Sequence, residues 1–220
     1  MRRQSVFIIT STLITCGILA FVEHGLEINY LIKTTLKVTI FFLTIWWYQR
    51  SFNKFRFKDP VSLEKISRKE WRRIFLLGFL SATIVFIAYV ICLPFIDLSA
   101  IKGDLTERLG ITTTTYIIVG LYITFGNSFL EEYFFRGFIF FQLPRKLGYI
   151  YSPLLFASYH IPMIILWFSP TIIGLCFIGL WIIGLIFHKV NEKNQTIWAS
   201  WMIHICADIV IVLIGLTLFY

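Results

Sequence analysis

Six ionisable side chains stand where an apolar sequence should carry none. Glu131, Glu132 and Arg136 lie in one long apolar stretch, His160 in the next, and His204 with Asp208 in the last. A charged group at bilayer depth costs about 2.5–3.5 kcal/mol on insertion scales, and such residues mark functional positions. Brought together, they offer acid–base chemistry: a carboxylate and imidazoles able to take up and give up protons, those of water included, near neutral pH. Spacing sorts the roles. Glu132 and Arg136 are four apart with the acid first, the favourable order for a helical ion pair. Glu131 points about 100° away from Glu132 and is left outside that pair, in an apolar setting suited to a general base. Asn127 lies four residues before Glu131 on the same face and can hydrogen-bond it. His204 and Asp208 are again four apart, so Asp208 can fix the imidazole tautomer or donate as a neutral acid. A second chemistry is open to the same groups: Glu131, His160 and His204 could hold a divalent metal such as Zn2+ that activates the water. No His-Glu-x-x-His helix is present in the sequence. The metal-free glutamate mechanism is therefore preferred, and no cofactor is expected.

The elements that must position these groups are membrane helices. Hydrophobic residues make up 58% of the 220-residue chain and charged ones 15%, against about 45–50% and about 25% in soluble domains, and mean hydropathy is +0.79. The expected fold is an all-α, polytopic membrane helical bundle. Seven apolar segments approach the roughly 20 residues needed to span: 6–22, 28–48, 74–96, 114–141, 149–168, 171–190 and 196–219. Lys33 and Lys37 fall inside the second, near one end, and are expected to snorkel to the interface. With the N-terminus cytoplasmic, 15 of the 20 Lys and Arg lie on the cytoplasmic side, as the positive-inside rule requires. Counted at the helical rise from the cytoplasmic ends, Glu131, His160, His204 and Asp208 lie roughly 12–18 Å deep. Three spans thus bring their charges to one layer, in a cavity opening toward the cytoplasm.

Net charge of +8 reads against this topology as lipid contact and not as nucleic-acid binding. Nine Lys/Arg fall in the cytoplasmic stretch 50–73, interleaved with Phe52, Phe55, Phe57 and Trp71, a pattern suited to anionic lipid. The chain is read as one structural domain, an N-terminal transmembrane region (1–110) and a catalytic core (111–220). Cys16, Cys92, Cys176 and Cys206 fall in spans and read as free thiols. His24 and His188 are assigned to loops and given no role. The aromatic stripe Tyr133, Phe134, Phe135, Phe138 reads as lipid or packing surface.

Glu131-Glu132-Tyr133-Phe134-Phe135-Arg136-Gly137 resembles the E-E-x-x-F-R-G signature of the type II CAAX prenyl protease and bacteriocin-processing family, also called CPBP or Abi. Phe156-Ala157-Ser158-Tyr159-His160 is similar to its second motif, F-x-x-x-H, and His204 with Asp208 to its third, H-x-x-x-N/D. The resemblance covers roughly 116–213. It implies an all-helical intramembrane endopeptidase of the cell membrane, acting on a peptide or membrane-protein substrate. Glu131 would activate water, His160 would assist, and His204 and Asp208 would line the oxyanion site, with Glu132 and Arg136 holding the geometry. Eukaryotic members usually carry Asn where this chain has Asp208. Since an ionised acid repels an oxyanion, Asp208 would act protonated or orient His204. The Ile-, Phe- and Lys-rich composition suggests a bacterium, and by resemblance a role in bacteriocin immunity or peptide maturation. A non-catalytic immunity or scaffold protein is the alternative from another class, and a small proton-relay transporter a third.

Overall fold

The computed structural model describes residues 2–62 and 67–220, so Met1 and Lys65 of the basic stretch lie outside the described residues. All regular structure among the described residues is helical: α1 (Arg2–Gly25), α2 (Tyr30–Phe52), α3 (Arg68–Cys92), α4 (Leu98–Glu107), α5 (Thr113–Leu121), α6 (Ser128–Glu132), α7 (Arg145–Ile164), α8 (Pro170–Glu192) and α9 (Trp198–Phe219). Among the described residues, four stretches are long and apolar enough to cross a membrane: Arg2–Gly25, Arg68–Phe95, Pro170–Glu192 and Trp198–Phe219. The other three expected spans coincide with α2, with α7, and with the run from α5 to Phe140. α2 includes Lys33, Lys37 and Arg50 and α7 begins Arg145-Lys146, which lowers their apolarity.

Local chemistry sets the helix ends. Asn29 caps α2 by accepting from the Ile32 amide at 3.0 Å. Ser67 and Glu70 form a reciprocal capping box at the start of α3, and Thr112 with Thr115 does the same for α5, satisfying amides with no partner in the first turn. Pro170 opens α8, where its missing N–H costs nothing. Pro153 and Pro162 sit inside α7 without ending it.

α1 packs on α2 and α7, α7 on α8, α8 on α9, and α3 along α9. The run from α5 to Phe140 lies among them, touching α2, α7, α8 and α9. Its aromatic stripe is packing surface: Phe134, Phe135 and Phe138 are fully buried, and Phe41 of α2 stacks on Phe134 with centroids 3.8 Å apart. Outward-facing residues are apolar as well; Phe79 is 74% exposed and Ile118 70%, a surface that lipid must cover.

The loop after α2 departs from the interfacial reading. Phe55 is 2% exposed and packs on Phe57, Tyr133 and Phe138, because the backbone here is tied to the protein. The Pro60 carbonyl accepts from the Ile197 amide at 2.9 Å and the Thr196 hydroxyl at 3.0 Å, and the Val61 carbonyl accepts from the Trp198 indole at 2.9 Å. A Cβ on Gly137 would meet the Pro60 Cβ at 2.9 Å, so glycine is the residue that lets the loop lie against the run.

At the opposite end of the bundle an ion network joins four elements. Arg108 holds Asp104 with two hydrogen bonds of 2.6 and 2.8 Å and reaches Glu23 Oε1 at 2.8 Å. Lys33 donates to the Glu23 carbonyl at 2.8 Å and the Trp167 indole to Asp104 at 2.8 Å. Lys33 thus ends on Glu23, 7% exposed, and not at a lipid headgroup. The Arg108 hydrogen bonds hold the Asp104 carboxyl below its ordinary 3.8. Its stabilisation is fully present above that ordinary value and fades only as pH falls through the lower folded one. Arg108→Ala should cost about 2 kcal/mol, lowering the melting midpoint of the detergent-solubilised protein by roughly 4–8 °C at pH 7. A wild-type midpoint that collapses already between pH 6 and 5, with Arg108→Ala unchanged relative to it, would contradict this account.

Candidate active site

α6 is only five residues long, and π-helical segments flank it at Tyr122–Asn127 and Tyr133–Phe140. A π turn closes i to i+5 and re-aims the side chains beyond it; such turns occur frequently at functional sites. Glu131 and Glu132 therefore stand on a short regular segment between two widened ones. Both are buried, at 1% and 0% exposure.

The two oxygens of Glu131 have different surroundings. Oε1 accepts from the Asn127 amide at 2.9 Å and from the Tyr159 hydroxyl at 3.4 Å, and the Lys37 ammonium lies 3.6 Å away. Oε2 has no hydrogen-bond partner among the described residues and faces His160 Nε2 at 3.5 Å. The His160 Nδ1 is 2.7 Å from the Phe156 carbonyl, and a carbonyl only accepts, so Nδ1 carries the hydrogen. In the neutral ring that leaves a lone pair on Nε2, turned toward Glu131.

Glu132 organises a second cluster. Its Oε1 accepts from Arg136 Nη1 at 2.9 Å and from His204 Nδ1 at 3.1 Å. The fully buried Arg136 guanidinium is sandwiched between Phe156, at 4.0 Å, and Phe187, at 4.8 Å, favourable cation–π contacts. Phe156 also packs on His160 at 4.5 Å and on His204 at 6.1 Å between centroids, so one ring abuts both imidazoles and the guanidinium. The Trp201 indole of α9 donates to Ser128 of α6 at 3.1 Å, which fixes the helix bearing His204 against the acids.

All seven residues singled out in the sequence, Asn127, Glu131, Glu132, Arg136, His160, His204 and Asp208, fall within this one assembly. Three expectations change. Asp208 Oδ1 lies 3.7 Å from His204 Nε2, beyond hydrogen-bond range; Glu132, reaching across from α6, anchors the ring at Nδ1 instead. Glu131 is not in an apolar setting, because Lys37 turns inward and donates to Asn127 Oδ1 instead of snorkelling. His188 is no loop residue: it is fully buried in α8, stacked on Phe140 at 3.9 Å and bonded to Ser152 at 3.1 Å. Lys37 and Tyr159 are thus site residues that the motif spacing did not reveal. The signal for Lys37 was its depth, about 16 Å from the end of the second expected span, in the same layer as the acids. Among the described residues no three His, Cys, Asp or Glu side chains are grouped to hold a metal ion.

A family model described as type II CAAX prenyl endopeptidase, Rce1-like, matches residues 113–210, the stretch that contains all seven motif residues but not Lys37. No curated protein and no solved structure matches the chain.

Removing one partner of a buried ion pair strands the other in low dielectric. Arg136→Met should therefore cost on the order of 3–5 kcal/mol, read as a lower helical melting midpoint in detergent. Adding Glu132→Leu should recover part of that loss. Equal melting of the single and double variants would show that the pair carries no such coupling.

Proposed function

We propose, from the match of residues 113–210 to the type II CAAX prenyl endopeptidase, Rce1-like family model, that this chain is an intramembrane protease that hydrolyses a peptide bond with Glu131 as the base. One observation carries the reading: Glu131 Oε2 and His160 Nε2, two acceptors on different helices, face each other at 3.5 Å. That separation is long for a direct hydrogen bond and suits a water that gives one hydrogen to each. Glu131 Oε2 takes a proton from this water as its oxygen attacks the scissile carbonyl carbon. The carbonyl electron pair moves onto oxygen, where His204, doubly protonated and anchored through Nδ1 on Glu132, donates from Nε2. Asp208 stands 3.7 Å from the same nitrogen, too far to hydrogen-bond it, and adds an acidic neighbour to that side of the ring. Glu131 then passes its proton to the departing amine nitrogen as the carbon–nitrogen bond breaks, leaving a carboxyl product and an amine. No step is routed through a metal.

The substrate is a peptide or a membrane-protein segment, presented near the cytoplasmic leaflet of the cell membrane. Seven spans with the N-terminus inside accommodate this arrangement. Exposed Arg50, Lys54, Arg56 and Lys58 around the loop after α2 are suited to anionic headgroups. In a bacterial cell the setting is bacteriocin immunity or peptide maturation, a reading supported by the motif resemblance.

The test compares protein N-termini by mass spectrometry in cells expressing wild type or Glu131→Gln at matched levels. New termini are expected with wild type alone, with His160→Gln reducing them by about 10²-fold or more. The cleavage should persist when a strong zinc chelator is added to the purified protein. Identical termini in both strains, with a phenotype that survives Glu131→Gln, would instead identify a non-catalytic immunity or scaffold protein.

A further inference from the structure

The motif residues do not account for everything that touches Glu131. Lys37 comes from α2, outside residues 113–210, and its side chain is only 16% exposed. It is fixed from three directions: its ammonium donates to Asn127 Oδ1, stands 3.6 Å from Glu131 Oε1, and lies 5.6 Å from the centre of the Tyr159 ring. Asn127 can accept from Lys37 only through its oxygen, which turns its NH2 group toward Glu131 at 2.9 Å. Lysine, amide and carboxylate form one ordered chain of donors ending on Oε1.

We propose that Lys37 is a positioning residue for Glu131: with Asn127 it claims the Oε1 oxygen, and so makes Oε2 the oxygen that faces His160 and takes the proton. Tyr159 adds a second hydrogen-bond donor to Oε1 beside Asn127, and among the described residues no hydrogen bond reaches Oε2. A carboxylate with all its donors on one oxygen has a fixed rotation about its last bond, which is what a base held in attacking geometry needs. Charge gives the same assignment. Glu131, Glu132 and Asp208 are three acids in one buried assembly, and Arg136 pairs with Glu132; among the described residues Lys37 is the other permanent cation in contact with the set. The assignment of Oε2 as the reacting oxygen rests on the peptidase reading; the hold on Oε1 does not.

Two readouts separate these. The first is infrared difference spectroscopy of the purified protein in nanodiscs, where the carboxylate stretching bands lost in Glu131→Gln identify Glu131. Lys37→Met should shift those bands, because Oε1 loses a charged neighbour and Asn127 is released. Lys37→Arg should return them toward wild type, and Lys37→Gln, which keeps an amide donor, should fall between. The second is cleavage of whatever substrate the N-terminus comparison supplies: Lys37→Met should lower kcat about tenfold or more, leave KM within about twofold, and be rescued in part by Arg. A merely structural lysine would change melting and leave both the Glu131 bands and the kcat of the folded fraction unaltered. Unchanged Glu131 bands in both Lys37→Met and Lys37→Gln overturn the proposal. Shifted bands with no cleavage by any form, wild type included, uphold the hold on Glu131 and overturn only the peptidase reading.

Discussion

Three carboxylates in a dry bundle must be answered by positive charge and hydrogen-bond donors, and the architecture around them follows from that requirement. An uncompensated carboxylate in low dielectric is among the costliest things a fold can contain. Here Arg136 answers Glu132 at 2.9 Å, Lys37 stands 3.6 Å from Glu131, and His204 bridges toward Asp208. These partners arrive from α2, the motif run and α9, with His160 added from α7. Each helix is therefore held at the depth where its own charge has a counterpart. Apolar packing alone could not fix that depth, since lipid tails are as good a solvent for Leu and Phe as another helix is.

Shape complementarity then takes over where charge leaves off. Arg136 can be wholly buried because two rings, Phe156 and Phe187, cover its faces, and the weakly hydrated guanidinium suits such a slot better than an ammonium would. Gly184 lets α8 approach α7 at this level; a Cβ there would fall 2.9 Å from the Pro153 Cβ and 3.4 Å from Arg136 Nη2. Phe41 stacked on Phe134 brings α2 against the motif run, and with it the lysine four residues earlier on the same face.

What could be read in the sequence was whatever obeys a simple helical period. Glu132 with Arg136, and Asn127 with Glu131, are i,i+4 pairs, and both contacts are present. The helical class and the apolar segments followed from composition and run length. What spacing could not supply were contacts between helices distant in the chain. Glu132 to His204 crosses 72 positions and Lys37 to Asn127 crosses 90. The period also misleads where the helix departs from it. The two π segments beside α6 change the direction of every side chain beyond them, and nothing in Tyr122–Asn127 or Tyr133–Phe140 announces such a turn by residue type. Lysine was read as an interface residue because its stem is long enough to snorkel. The same length lets Lys37 reach inward, and residue type alone cannot choose between the two directions.

The origin of Lys37 bears on how such a protein can be rebuilt or recombined. The stretch that carries the motifs is not self-sufficient as a module. Grafted behind a foreign pair of leading helices, it would inherit the glutamate and its amide neighbour but not the ammonium beside them. With Lys37 holding Glu131 as proposed, exchange of halves between two such chains requires a cation at that same depth of the second helix.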